Sequence, residues 1–169
     1  MRSIVLIGMM GSGKTTCGRC LARRLGRELI DTDAVIVERG GMSIAEIFST
    51  RGETAFRDME SELCRELSDR CDAVIATGGG MVLRPENVAA LKRHGAVVFL
   101  NRPAGEIFDS TSMAGRPLGQ DGRQAFLRRF AQREPIYRAA ADVEITNFTS
   151  AEATVAEIVS KLEELGDVL

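Results

Sequence analysis

Eight residues near the amino terminus have the types and spacing to hold a phosphate. They read Gly8-Met9-Met10-Gly11-Ser12-Gly13-Lys14-Thr15, a match to G-x-x-x-x-G-K-[ST]. The glycines let backbone N–H groups point inward and wrap an anion. The helix expected to start at Lys14 adds positive potential at the same point. Lys14 can reach the outer phosphates, and the Thr15 hydroxyl can ligate Mg²⁺. Such a site usually draws an aspartate from a second buried strand. Here that strand (73–76) runs into Thr77-Gly78-Gly79-Gly80 with no carboxylate. The nearest substitute is Asp31, which either completes a metal shell through water or caps the helix that follows it.

Further residues suit an acceptor. Asp33 lies two positions past Asp31. Arg57 falls in a long helix with Glu53 and Glu60 each about one turn away, where they can steady a guanidinium. Gly78, Gly79 and Gly80 follow a core strand, at the sheet edge where open α/β sheets bind ligands. Arg138 follows Pro135. Two arginines and an aspartate suit a small molecule with a carboxylate and hydroxyls. Taken singly, Arg57 reads equally well as a solvated helix charge and Arg138 as a surface residue. Arg116 sits in a small, polar, Gly-rich stretch (111–122). That stretch is either a plain surface loop or a lid whose arginine neutralises charge and excludes water.

These residues need elements to position them. Short apolar strands are expected at 3–7, 28–30, 73–76, 96–100 and 143–145. Helices are expected at 14–25, from 33 to about 39, from 43 to 52, 53–68, 85–94, 103–110, 123–133 and 150–165. Ser43-x-x-Glu46 is a capping box, and Gly52 separates two of these helices. Pro135 is expected to break the helix before it. Strands alternating with helices indicate an α/β domain with a mainly parallel sheet.

Composition narrows the class. The chain has 169 residues, 44% of them hydrophobic, enough for one domain with a sizeable core. A net charge of −2 argues against a dedicated nucleic-acid binder or a basic membrane-surface protein. No apolar run approaches the roughly 20 residues of a membrane span. Nor does the amino terminus read as a signal peptide. A cytoplasmic setting with reduced thiols is the expectation. Cys17 and Cys20 have C-x-x-C spacing, but one histidine (His94) and no second pair complete no zinc site. They read as buried thiols.

The motifs together resemble the shikimate kinase family across nearly the whole chain. They are GMMGSGKTT (8–16), DTD (31–33), the pattern from Ser43 to Glu60, TGGG (77–80), GRPL (115–118) and REPIYR (133–138). The resemblance implies a three-layer αβα P-loop fold: a five-stranded parallel sheet in the order 2-3-1-4-5, flanking helices and a mobile lid. It implies one kinase domain over 1–169, with its phosphate loop at 8–15, a shikimate-binding segment at about 32–60 and the lid at about 111–122. The activity implied is transfer of the ATP γ-phosphoryl to the 3-hydroxyl of shikimate, on the way to chorismate and the aromatic amino acids, by a cytoplasmic monomer. Gly11, Ser12, Gly13, Lys14, Thr15, Thr16 and Arg116 would hold ATP, and Thr15 and Asp31 the Mg²⁺. Asp33, Arg57, Arg138, Gly78, Gly79, Gly80, Phe48 and Phe56 would hold shikimate. Lys14, Asp33 and Arg116 would carry the chemistry, with Asp33 the usual candidate base.

Three features depart from the family pattern. The position about seven residues before the lid arginine, usually an adenine-packing Arg, is Asp109. The lid motif reads RPLG rather than RPLL, and 147–150 lacks the usual Pro. Phe108 and Arg102 are nearby residues that could stand in. Two other functions fit parts of the pattern: a P-loop kinase for another small acid such as gluconate, or a nucleotide-binding regulator without catalysis.

Overall fold

β1 (Ser3–Ile7) is buried at every position, and its side chains alternate between two apolar layers. Val5 and Ile7 face one layer, Ile4 and Leu6 the other. A strand covered on both faces reads as a continuous apolar run, which is why 3–7 lacks polar alternation. The computed structural model describes residues 2–110, 122–146 and 148–166.

The other strands are β2 (Leu29–Asp31), β3 (Val74–Ala76), β4 (Gly95–Leu100) and β5 (Val143–Ile145). They form a parallel sheet in the order β2-β3-β1-β4-β5. Register pairs Val5 with Ile75 on one side and with Val97 on the other. The helices are α1 (Lys14–Leu25), α2 (Thr32–Gly40), α3 (Ile44–Leu67), α4 (Pro85–Lys92), α5 (Ala104–Ser110), α6 (Arg123–Ala140) and α7 (Ala151–Glu164). α1 and α7 cover one face of the sheet, through residues such as Leu21 and Ile158. Parts of α2, α3, α4, α5 and α6 cover the other, through Ile36, Phe56, Leu91, Ile107 and Phe126. This is the three-layer αβα architecture that the resemblance implies.

The expected boundaries hold to within a few residues, with one informative exception. Gly52 divides residues 44–67 as expected: its φ of 84° and ψ of 165° belong to no helix, so α3 is two helical segments meeting at a kink. Ser43 and Glu46 form the expected capping box at its start. The exception is α6, which runs through Pro135 instead of stopping before it. A proline inside a helix costs about 3 kcal/mol. Phe126, Arg133, Tyr137 and Ala140 form one buried stripe along this helix. Tyr137, beyond the proline, is fully buried, and burying one large side chain returns about 1.5–3 kcal/mol, a gain that offsets the proline cost. A short 3₁₀ turn at Met81–Leu83 follows the glycine run.

Among the described residues, no helix is long and apolar enough to cross a membrane.

Candidate active site

The carboxyl ends of β1, β2 and β3 open into a cleft of about 490 Å³. Its floor is the loop between β1 and α1. Gly8 there has a φ of +146°, and a Cβ would fall 2.8 Å from the Leu100 carbonyl oxygen. Only glycine accepts both that φ and that approach. Lys14 is 8% exposed and its Nζ donates to the Gly8 and Met9 carbonyl oxygens, both at 2.8 Å. The ammonium is thereby drawn back over its own loop.

Asp31 ends β2 and does two things at once. Its Oδ1 accepts from the backbone N–H groups of Asp33 (3.1 Å) and Ala34 (3.3 Å), capping α2. Its Oδ2 accepts from the Thr15 hydroxyl at 2.8 Å. The cap and the metal-shell readings are therefore compatible. A hydroxyl beside a carboxylate is an oxygen set that suits Mg²⁺.

The acceptor half of the cleft is walled by α3 and α6. Arg57 is 8% and Glu60 0% exposed. Arg57 Nη1 donates to Glu60 Oε2 at 2.7 Å, and Nη2 donates to Glu53 Oε1 at 3.1 Å. Burial opposes the Arg57 charge, but these two carboxylates outweigh it and hold the guanidinium above its ordinary pKa. Burial pushes the Glu60 carboxyl up, against the pull of Arg57. The Phe48 and Phe56 rings meet at 5.1 Å, and the Arg57 guanidinium lies 5.3 Å from the Phe56 ring centre. Gly78, Gly79 and Gly80 present bare backbone between these groups. A Cβ on Gly78 would fall 2.6 Å from Asp33 Oδ1, and one on Gly80 would fall 2.2 Å from Arg57 Nη1. Thr32 Oγ1 accepts from the Gly78 N–H at 3.1 Å and fixes the run.

The second arginine of this wall is Arg133, not Arg138. Arg133 is 7% exposed and lines the cleft. Burial lowers its pKa, and the nearby positive Arg57 adds to the lowering while Tyr137 opposes it. The Tyr137 hydroxyl donates to the Gly79 carbonyl oxygen. Arg138 is 53% exposed and pairs with Glu134 and Glu144. Five residues at 100° each put it about 140° round the helix from Arg133. An α6 that continues through Pro135 therefore turns Arg138 out of the cleft. The missed signal was helical phase: Phe126, Arg133, Tyr137 and Ala140 share one stripe only if the helix runs on.

The remaining expected residues divide simply. Gly11, Gly13, Lys14, Thr15 and Thr16 line the cleft from the loop, and Asp31, Asp33, Phe48, Phe56, Arg57 and the three glycines from the far walls. Ser12 is 1% exposed and lies beneath the cleft surface, with its N–H donating to the Met9 carbonyl oxygen at 3.1 Å. Arg116 and the expected lid, 111–121, lie outside the described residues. Glu60 was visible in the sequence only as a neighbour of Arg57.

The family model for shikimate kinase matches residues 10–163. The chain belongs to the shikimate kinase family. It is 43% identical over 171 residues to the shikimate kinase of Symbiobacterium thermophilum, a match covering 98% of each chain. It is 42% identical over 166 residues to that of Nitrosomonas europaea, covering 96% of this chain and 79% of the relative. A solved shikimate kinase from Acinetobacter baumannii, in complex with shikimate, superposes with a TM-score of 0.90 at 35% identity. That match covers 100% of this chain and 96% of the other. The family membership makes the chain a kinase of the ATP-dependent class and leaves the alternative readings without support.

Proposed function

We propose that this shikimate kinase family member transfers the γ-phosphoryl group of ATP to the 3-hydroxyl of shikimate. The observation that carries the reading is the pair of buried guanidinium groups, Arg57 and Arg133, beside Asp33 and bare glycine backbone, next to a phosphate loop. Arg57 is already balanced by Glu60 and Glu53, but burial and the nearby Arg57 lower the Arg133 pKa, so a bound carboxylate beside Arg133 would offset the cost of its charge. Charge-assisted bonds to a carboxylate are about twice as strong as neutral ones. Asp33 and the backbone of Gly78 to Gly80 are placed to meet the hydroxyls and ring of a small polyhydroxy acid.

In the transfer, the acceptor hydroxyl oxygen bonds to the γ-phosphorus as the bond from that phosphorus to the β,γ-bridging oxygen breaks, and ADP leaves. The hydroxyl proton passes late, and Asp33 is the carboxylate proposed to receive it. Most of the rate in such a reaction comes from positioning and charge stabilisation. Lys14 supplies positive charge at the outer phosphates. Arg116, from the GRPL motif, would supply more from the proposed lid at about 111–122. Thr15 and Asp31 fit Mg²⁺, which when bound neutralises phosphate charge. No cluster of three or more metal-ligating side chains occurs among the described residues. Mg²⁺ is commonly held this way, by one or two protein oxygens plus phosphates and water.

We read the chain as one kinase unit over 1–169 with its acceptor segment at about 32–60, working as a cytoplasmic monomer. Among the described residues the exposed large apolar side chains, Val37, Ile136 and Leu165, come from three different helices or their ends, which supports a monomer. Its four free cysteines suit a reducing compartment.

ADP release from MgATP, with and without shikimate and with quinate and gluconate as control acceptors, tests the reading. Turnover that requires shikimate is expected. Turnover that prefers gluconate, or ATP binding without transfer to any of the three, would overturn it.

A further inference from the structure

Three parts of the cleft meet at one phenolic oxygen. Gly79 is wedged against the phosphate loop: a Cβ there would fall 3.1 Å from the Met10 backbone nitrogen and 3.5 Å from the Gly8 carbonyl oxygen. The Gly79 carbonyl oxygen is held from α6. It accepts from the Tyr137 hydroxyl and, at 3.4 Å, from Arg133 Nη1. The same hydroxyl lies 3.8 Å from Met9 Sδ of the phosphate loop. Loop, glycine run and acceptor wall therefore converge on Tyr137.

The core fixes Tyr137 from behind. Its side chain is fully buried, and its ring stacks on Phe99 of β4 at 5.1 Å, with 28° between the planes. Burial pushes the phenol above its ordinary pKa, against the pull of Arg133 and Arg57. The hydroxyl thus keeps its proton and stays a donor. A phenol has one proton to give and an oxygen that can also accept. The proton goes to the Gly79 carbonyl. Arg133, one turn earlier on α6, hydrogen-bonds to the oxygen. Its own reach to the Gly79 carbonyl, at 3.4 Å, is longer than an ordinary hydrogen bond. A carbonyl satisfied by Tyr137 does not need Arg133, so the other guanidinium donors are left for the cleft that Arg133 lines.

We infer that Tyr137 is a positioning residue for the acceptor: its hydroxyl satisfies the Gly79 carbonyl and orients Arg133, leaving the guanidinium to meet a carboxylate. The inference rests on the function proposed above, in which Arg133 meets the carboxylate of the acceptor. Without the hydroxyl, the Gly79 carbonyl has Arg133 as its remaining donor, and an incoming carboxylate must compete with it. A polar group that loses its partner costs more than the bond itself contributed. The nucleotide side is insulated from this change, because the Lys14 ammonium donates to the Gly8 and Met9 carbonyl oxygens and not to Tyr137.

Tyr137→Phe removes the hydroxyl and keeps the ring on Phe99. Steady-state kinetics with ATP and shikimate compare the full chain, Tyr137→Phe, Arg133→Ala and the double variant. Tyr137→Phe should raise the KM for shikimate about tenfold, the scale of one hydrogen bond to a charged group. The KM for ATP should stay within about twofold. Adding Tyr137→Phe to Arg133→Ala should change the KM for shikimate by less than about twofold, because the residue it acts through is already gone. A variant that is merely less folded loses kcat and leaves both KM values alone, so the KM for shikimate reads positioning and not stability. An unchanged KM for shikimate in Tyr137→Phe, an equal rise in both KM values, or full additivity in the double variant would overturn the inference. A wild-type chain without shikimate-dependent turnover would instead overturn the proposed function. The two failures are therefore distinct.

Discussion

Arg133 and Arg138 stand five residues apart on one helix and serve opposite surfaces. Arg133 is 7% exposed against the glycine run, while Arg138 is 53% exposed and tied to Glu134 and Glu144. The first is placed to meet a bound carboxylate, and the second fastens α6 to β5 at the surface. Surface ion pairs of this kind contribute about 0–1 kcal/mol.

Substituting the two arginines should therefore give different results. Arg133→Ala should raise the KM for shikimate at least about tenfold, the scale of a lost hydrogen bond to a charged group. Arg138→Ala should leave it within twofold. Steady-state kinetics on both variants checks this, and an equal effect would return Arg138 to the site.

Gly80→Ala tests how the cleft is packed. The new methyl would fall 2.2 Å from Arg57 Nη1, so the guanidinium must move away from Glu60. The φ of −104° at Gly80 suits alanine, so backbone strain is not the cause of any loss. The KM for shikimate should rise about tenfold or more while the KM for ATP holds. A variant with unchanged shikimate kinetics would show that Arg57 can shift without consequence.

Lys14→Ala should cut kcat by about 10²–10³, the usual cost of losing one preorganised charge-stabilising donor. The folded structure should survive, because the Lys14 ammonium donates to the Gly8 and Met9 carbonyl oxygens of its own loop. Circular dichroism paired with single-turnover kinetics reads both. Near-normal kcat would remove Lys14 from the mechanism.

The cysteines should differ in reactivity. Burial pushes the Cys17 thiol up to about 11 and the Cys64 thiol up to about 12. A raised thiol pKa leaves the neutral form dominant below that value. At pH 8 only about one in a thousand Cys17 side chains would be thiolate. Cys71 is exposed. Iodoacetamide at pH 8 should label Cys71 in the native protein and reach Cys17 and Cys64 only after unfolding. Mass spectrometry of the digested protein reports the sites, and early labelling of Cys64 would contradict its burial.

Much of this protein was legible along the chain because the determinants are local. Gly8 to Thr15 are legible as a phosphate loop because glycine spacing and a helix start act over a few residues. Ser43, Glu46 and Gly52 mark their helix boundaries by capping and by a φ that other residues avoid. The apolar runs around Val5, Ile75 and Val97 require strands covered on both faces, and with the motif resemblance they led to the order of the sheet. What the local signals did not decide was a contest between a local rule and a distant gain. Pro135 signals a helix end, yet the burial of Tyr137 just beyond it offsets that cost. That contest alone determines which arginine faces the cleft. The burial of Glu60 behind Arg57, and the nearness of Leu100 to Gly8, likewise depend on elements far apart in sequence meeting across the core. Only the tertiary structure sets such meetings, because their free energy comes from surface removed from water between segments that carry no mark of each other.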